Sequence, residues 1–345
     1  MATLNELDPN EIPDGPHQLR LAHLPSDFAP KAVVGEIFAK AEEEALLPRL
    51  GAERIEVVYG QTVIPITVTE PQAGQVGTGT TNELREGGVK PLSGVGWGSR
   101  SFSPIKLAVI VTASEEMART NPLNLFGSIR GKLSKAIARA MDLAVFHGRN
   151  ALTGAALSGI DADNVLVNTT NSVNYNIFPD PDAVDNNLVN QLLAAYDLIG
   201  EDYDPERWVF DPRYRTKLAA AMRGVDLNGN VLAPGDINLA AQESSVLGLP
   251  ANFHKAAPGR IGAYAGTTPP TRAFLGDFDQ LKWGLADEIR FKVSDQATLT
   301  DGDGTVVNLW QTNQVAVMCE VTFGWVVGDL DAFAKVVETN VDPTP

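Results

Sequence analysis

The feature that most constrains this chain is a long alternation of apolar and polar residues near its end. From Val315 to Trp325 it places Val315, Val317, Cys319, Val321 and Phe323 on one side of an extended strand. The parts around it follow in an order unusual for an enzyme. An acidic turn, Gly276-Asp277-Phe278-Asp279, precedes a strand-like run from Glu288 to Val293; a polar excursion leads into the long strand; Asp329-Leu330-Asp331-Ala332-Phe333 then closes the block. Cys319 is the single cysteine, so no internal disulfide is available, and its phase with the valines reads as a small buried hydrophobe rather than a nucleophile or ligand.

A chain of 345 residues with 44% apolar content can build about two domains with sizeable cores. No apolar run reaches the ~18 residues that cross a bilayer, and no basic segment followed by a hydrophobic one opens the chain, so neither a membrane span nor a signal peptide is expected. The net charge of -16 argues against a protein that grips nucleic acid by its phosphates, because that binding replaces counterions with Lys and Arg.

Residues 1–30 hold five prolines and no helical period, which predicts an extended arm without its own core. Residues 31–47 have the spacing of a short amphipathic helix that Pro48 ends. Strands are predicted over Arg54–Tyr59, Thr62–Val68 and Ile105–Val111. Between the last two lies a glycine-rich interval, Gly74 to Gly98, which does not match a phosphate-cradling loop. Thr112-Ala113-Ser114-Glu115 has the form of a capping box. Pro122 opens a longer helix reaching His147, with Phe126, Ile129, Leu133, Ile137, Ala140, Met141, Ala144 and Val145 on one face and Arg130, Lys132, Lys135 and Arg139 on the other. At 1.5 Å per residue it spans roughly 39 Å. A further helix is predicted over 183–199. After it come a short strand, Trp208-Val209-Phe210, a helix capped by Asp211-Pro212 and reaching Met222, a turn at Asp226–Asn230, and a step into another strand at Leu247-Gly248-Leu249-Pro250.

The residues that carry chemistry are sparse. His17, His23, His147 and His254 are scattered without zinc-ligand spacing, and no hydrolase elbow or metalloprotease helix occurs. Gly127-Ser128-Ile129-Arg130-Gly131-Lys132 lacks the spacer and hydroxyl of a nucleotide loop. Asp301-Gly302-Asp303-Gly304 matches only the first half of a calcium loop and reads as a polar turn. No cofactor and no metal are expected.

The joint order of the long helix, the "WVFDP" step, the "GDF" turn and the terminal "AF" segment, across about residues 28 to 336, resembles the major capsid proteins of tailed bacteriophages with the Hong Kong 97 fold. That resemblance implies an α+β fold with an N-arm (1–30), a peripheral domain around the spine helix (31–53, 112–200 and 286–345), a two-stranded E-loop (54–111) and an axial domain (201–285). It implies a homo-oligomer of hexamers and pentamers closing into an icosahedral head around packaged DNA. It further implies assembly in the host cytoplasm and a place in the virion, with weak non-specific DNA contact and no membrane. A separate scaffolding protein, a portal and a decoration protein are the partners such a shell implies. In members that chain-link their shells, a flap lysine before a proline attacks a neighbour's asparagine, and a glutamate seven residues beyond that asparagine is the base; Lys90, Asn313 and Glu320 match those positions. The alternatives are a nanocompartment shell of the same fold and, from another class, a soluble α/β enzyme.

Overall fold

Period-two runs become strands and period-3.6 runs become helices along most of the chain, and the computed structural model describes residues 45–69, 73, 92–116, 122–175, 188–199, 203–221, 237–239, 244–286, 290–300 and 304–339. Glu53–Glu56 (β1) is followed by an antiparallel hairpin of Thr62–Thr69 (β2) and Gly96–Phe102 (β3), then by Ile105–Ser114 (β4) and the long helix Pro122–His147 (α1). Ser172–Tyr175 (β5), helix Leu188–Asp197 (α2), Arg207–Phe210 (β6) and helix Tyr214–Ala221 (α3) come next. Ile237–Asn238 (β7), Ser244–Val246 (β8) and Leu249–Phe253 (β9) are short. Leu247 and Gly248 join the last two with φ of 54° and 79°, the left-handed pair a two-residue hairpin turn requires. The chain then runs through Thr271–Gly276 (β10), Leu281–Leu285 (β11), Arg290–Ser294 (β12), Thr298–Thr300 (β13), Val306–Asn308 (β14), Gln314–Val327 (β15) and Phe333–Glu338 (β16).

Two sheets dominate. In the five-stranded one, β15 is the organising strand: β4 pairs along Gln314–Phe323 on one edge, while β12 and β11 share the other edge, and β1 joins parallel to β11. The seven-stranded sheet runs β5-β16-β10-β6-β9-β8-β7. One core cluster joins α1 to the first sheet through Leu133, Ile137, Met141, Val317, Cys319, Val321 and Phe323. A second packs α2 and α3 on the other sheet through Leu192, Trp208, Phe210 and Leu218. A small third cluster of Val57, Phe102 and Val326 sits at the root of the β2–β3 hairpin.

Several expectations need correction. Thr112–Ser114 extend β4, paired with Gln314–Ala316, and helix opens directly after them at Glu115 and Glu116, so the strand runs up to the helix start. Pro48 sits at the start of a single 3₁₀ turn, Leu47–Leu50, where a missing N–H costs nothing; residues 31–44 of the expected helix lie outside the described residues. Regular helix begins at Tyr214, not at Pro212, with the Asp211 carboxylate accepting from Arg213 N–H at 3.0 Å in the turn before it. The face assigned to α1 is right at Ile129, Leu133 and Ile137, but Ala140 is half-buried and Met141–His147 are buried all round, since the last two turns thread the core. The N-arm, the 226–230 turn, the 301–303 part of the acidic turn and residues 183–187 of the helix lie outside the described residues.

Strand pairing also cuts across the segment limits read from the sequence. β11 (281–285) hydrogen-bonds to β15 in the first sheet, while β5 and β16 hydrogen-bond into the second.

Candidate functional site

The "GDF" and "AF" motifs, 55 residues apart, meet. Gly276 pairs with Phe333, Asp277 N–H donates to the Ala332 carbonyl at 3.1 Å, and the Phe278 and Phe333 rings pack edge to face at 5.4 Å between centroids. A Cβ on Gly276 would lie 2.2 Å from the Phe333 ring, so only glycine lets β16 close onto β10. An ion network locks the far end of that pairing: Arg272 Nη1 donates to Asp211 Oδ2 at 2.6 Å and its Nε donates to Glu338 Oε2, both carboxylates being buried. Burial alone would lower the Arg272 pKa, but the two carboxylates outweigh it and raise it. Nothing in the sequence pointed to this triad, whose members are linked only by β6, β10 and β16 lying side by side.

The hairpin root is held in two ways. Phe102 lies over Gly324, where a Cβ would come within 2.6 Å of its ring. Arg100 donates to Asp163 Oδ2 at 2.8 Å and, through Nε, to the Gly328 carbonyl at 3.3 Å. Lys90, the lysine matched to the cross-linking pattern, lies outside the described residues.

Asn313 stands at the entry to β15. It is exposed, adopts φ of 50°, and its carbonyl accepts from Glu115 N–H at 2.8 Å. Asn308 builds the turn before it, its side-chain oxygen accepting from Trp310 N–H at 3.1 Å and Gln311 N–H at 3.3 Å. Glu320 lies further along β15, opposite Ala108 and Arg290, with its carboxylate 3.3 Å from Lys106 Nζ and its side chain 22% exposed. Seven residues of strand at about 3.3 Å each separate the two by roughly 20 Å, so one subunit does not bring Asn313 and Glu320 together.

Burial governs the most strongly shifted of the described titratable groups. Burial holds the Cys319 thiol up at about 11, which keeps it neutral and inert. His147 and His254 are each lowered to about 4, mainly by burial, and His147 donates through Nε2 to the Ala256 carbonyl at 2.8 Å. Asp142, on the inner face of α1, is raised to about 7 by burial despite accepting from Leu46 N–H at 3.0 Å. Its second oxygen lies 3.8 Å from His254 Nδ1. Glu206, Asp277 and Asp279 bring carboxylate oxygens within 4.8 Å of one another at the "GDF" turn, where one Asp277 oxygen already accepts from Asp279 N–H. Among the described residues no helix is long and apolar enough to cross a membrane.

Comparison with known proteins converges on one group. The phage capsid family matches residues 26–337. A protein of Mycobacterium phage L5 named as a probable major capsid protein is 28% identical over 324 residues, covering 90% of this chain and 88% of its own length. Among solved structures, a chain from Gordonia phage Cozz is similar at TM-score 0.65 and 29% identity, covering 86% of this chain and 87% of that one. A chain from Mycobacterium phage Ogopogo is similar at TM-score 0.62 and 25% identity, covering 86% and 92%. The two-sheet architecture organised by β15, its meeting with the "GDF" and "AF" motifs, and a family match across nearly the whole length together make this chain a member of the phage capsid family, with the Hong Kong 97-type α+β fold.

Proposed function

We propose that this chain is the major capsid protein of a tailed double-stranded DNA phage, whose copies form hexamers and pentamers and close into the icosahedral head that holds the genome. The observation that carries this reading is that the family match and the likeness to the Cozz chain run over nearly the whole length rather than through one motif. In this reading α1 and the five-stranded sheet form the peripheral domain, the seven-stranded sheet with α2 and α3 forms the axial domain, β2–β3 is the base of the E-loop, and residues 1–30 lie as an arm across a neighbour. A net charge of -16 suits an inner wall along which DNA slides without sticking. The scaffolding, portal and decoration proteins belong to this reading as partners, as does assembly in the host cytoplasm.

Sedimentation of the purified chain over a concentration series tests it. Shells or ring-sized capsomers are expected, and a species that stays at 36.9 kDa at every concentration would overturn the reading.

Covalent chain-linking is a second part of the proposal. Lys90 Nζ of one copy would attack the Asn313 side-chain carbonyl of another, forming a new amide and releasing ammonia, while Glu320 takes the proton lost by the lysine. The roughly 20 Å between Asn313 and Glu320 along β15 requires those two to come from different copies. Mature particles boiled in detergent and reductant should then run as a ladder, and Lys90→Arg, Asn313→Asp or Glu320→Gln should collapse it to one band near 36.9 kDa. A single band from the wild type rejects the cross-link and leaves the shell assignment intact.

A further inference from the structure

The turn between β14 and β15 displays a tryptophan to solvent on a rigid mount. Trp310 is 74% exposed, while its neighbour Leu309 is fully buried and anchors the turn in the core. The mount is held throughout by hydrogen bonds. Leu309 N–H donates to the Ala297 carbonyl at 3.1 Å and Gln314 N–H to the Leu309 carbonyl at 2.9 Å. The Asn308 side chain accepts from Trp310 and Gln311, and Thr312 Oγ1 donates to the Asn308 carbonyl at 2.9 Å. The backbone that carries the indole is therefore held in place before any partner arrives, so only the two torsions of the side chain itself remain to be ordered on binding. Large aromatic side chains presented in this way are the commonest energetic anchors of protein interfaces.

Charge bears on the choice of partner. A chain carrying -16 repels its own copies, so two copies approach with least penalty through surface that carries no charge. From Gly304 to Cys319 there is no Asp, Glu, Lys, Arg or His, and Val306 in the same run is 64% exposed. A basic partner would find no acid within this run to pair with, and Glu115 borders it through its N–H bond to the Asn313 carbonyl. We infer that the Asn308–Asn313 turn is a contact between copies of this chain, with Trp310 as its anchor, buried by a neighbouring subunit on assembly.

The inference rests on the shell reading above, and its test separates the two. Hydroxyl-radical footprinting of the full-length protein before and after assembly should show oxidation of Trp310 falling at least fivefold, with fully buried Trp208 unreactive in both states as the internal control. Trp310→Ala should leave the melting temperature of the unassembled subunit unchanged, because the ring touches little within it, and raise the concentration needed for assembly at least tenfold. Trp310→Phe should fall between. Shells in which Trp310 is oxidised as readily as in the free subunit would overturn the inference, as would assembly of Trp310→Ala at the wild-type concentration; in both cases the shell reading stands. A wild-type chain that forms no particles would instead sink the shell reading and this contact with it.

Discussion

The two ends of β15 are built on opposite plans. From Val321 to Val327 every residue is buried, with the hairpin root over Gly324 and the "GDF" turn close by; at the other end Trp310 and Asn313 stand in solvent on a tightly hydrogen-bonded turn. Side-chain substitutions should therefore cost folding energy at the first end and assembly at the second. A subunit that finishes its own core at one end of a strand and leaves rigid apolar surface at the other is suited to packing against copies of itself.

The largest effect belongs to the closed core. Leu133, 1% exposed and in the same core cluster as Val321 and Phe323, should not tolerate Leu133→Asp, which leaves an unpaired charge in apolar surroundings at a cost of several kcal/mol. The expected readout is insoluble protein, whereas Lys135→Asp on the exposed face should stay soluble and melt close to the wild type. Equal damage from both would erase the contrast.

Phe333→Ala comes next, at about 3–5 kcal/mol, because it removes the ring that seats on Gly276 and Phe278. Chemical denaturation of the unassembled subunit measures it, and a loss below about 1 kcal/mol would mean that the "GDF" and "AF" meeting does not hold β16 in place.

Asp142 sharpens the comparison through pH. The folded protein keeps a proton on this carboxyl up to about 7, while the unfolded chain releases it near 3.8, so stability from this site falls as pH rises between those values and levels off above 7. Asp142→Asn does not titrate and should gain on the wild type by an amount on the order of 2 kcal/mol between pH 5 and pH 8. His147 and His254 act in the opposite sense: the unfolded chain takes up their protons below 6.5, and their contribution is lost as pH falls toward 4. Stability curves of both proteins across pH 4–8 check the sign, and parallel curves would contradict it.

The smallest effect on the subunit is expected at the open end. Asn308→Ala loses the side-chain acceptor for two N–H groups and should cost about 1 kcal/mol, leaving the fold intact. Its larger consequence should be weaker assembly, because Trp310 loses its mount.

Much of this architecture was legible in the sequence wherever a period repeated long enough. The β15 alternation, the α1 spacing at Ile129, Leu133 and Ile137, and the Trp208–Phe210 step all follow from apolar residues recurring on one face. What escaped was decided by partners far away in the chain. β5 and β16 are short strands defined by the neighbours they pair with, and Thr112–Ser114 carry β4 up to the helix start at Glu115 by pairing with Gln314–Ala316. Asp142 reads as an ordinary polar position until the final turns of α1 are found inside the core. Of the candidate site residues, Asn313 and Glu320 were recognisable by spacing from the family pattern, but the roughly 20 Å between them is a property of extended strand that a motif does not convey. Trp310 carried no signal, because exposure is not a property of sequence.

A density map of particles assembled from the purified chain decides whether the open end of β15 is buried between copies. Closed shells or capsomers are expected in which a neighbouring copy covers the Asn308–Asn313 turn, while Val321–Val327 and Phe333 are enclosed entirely by their own subunit. Particles in which that turn faces open solvent, with copies joined instead through the "GDF" and "AF" region, would contradict that arrangement.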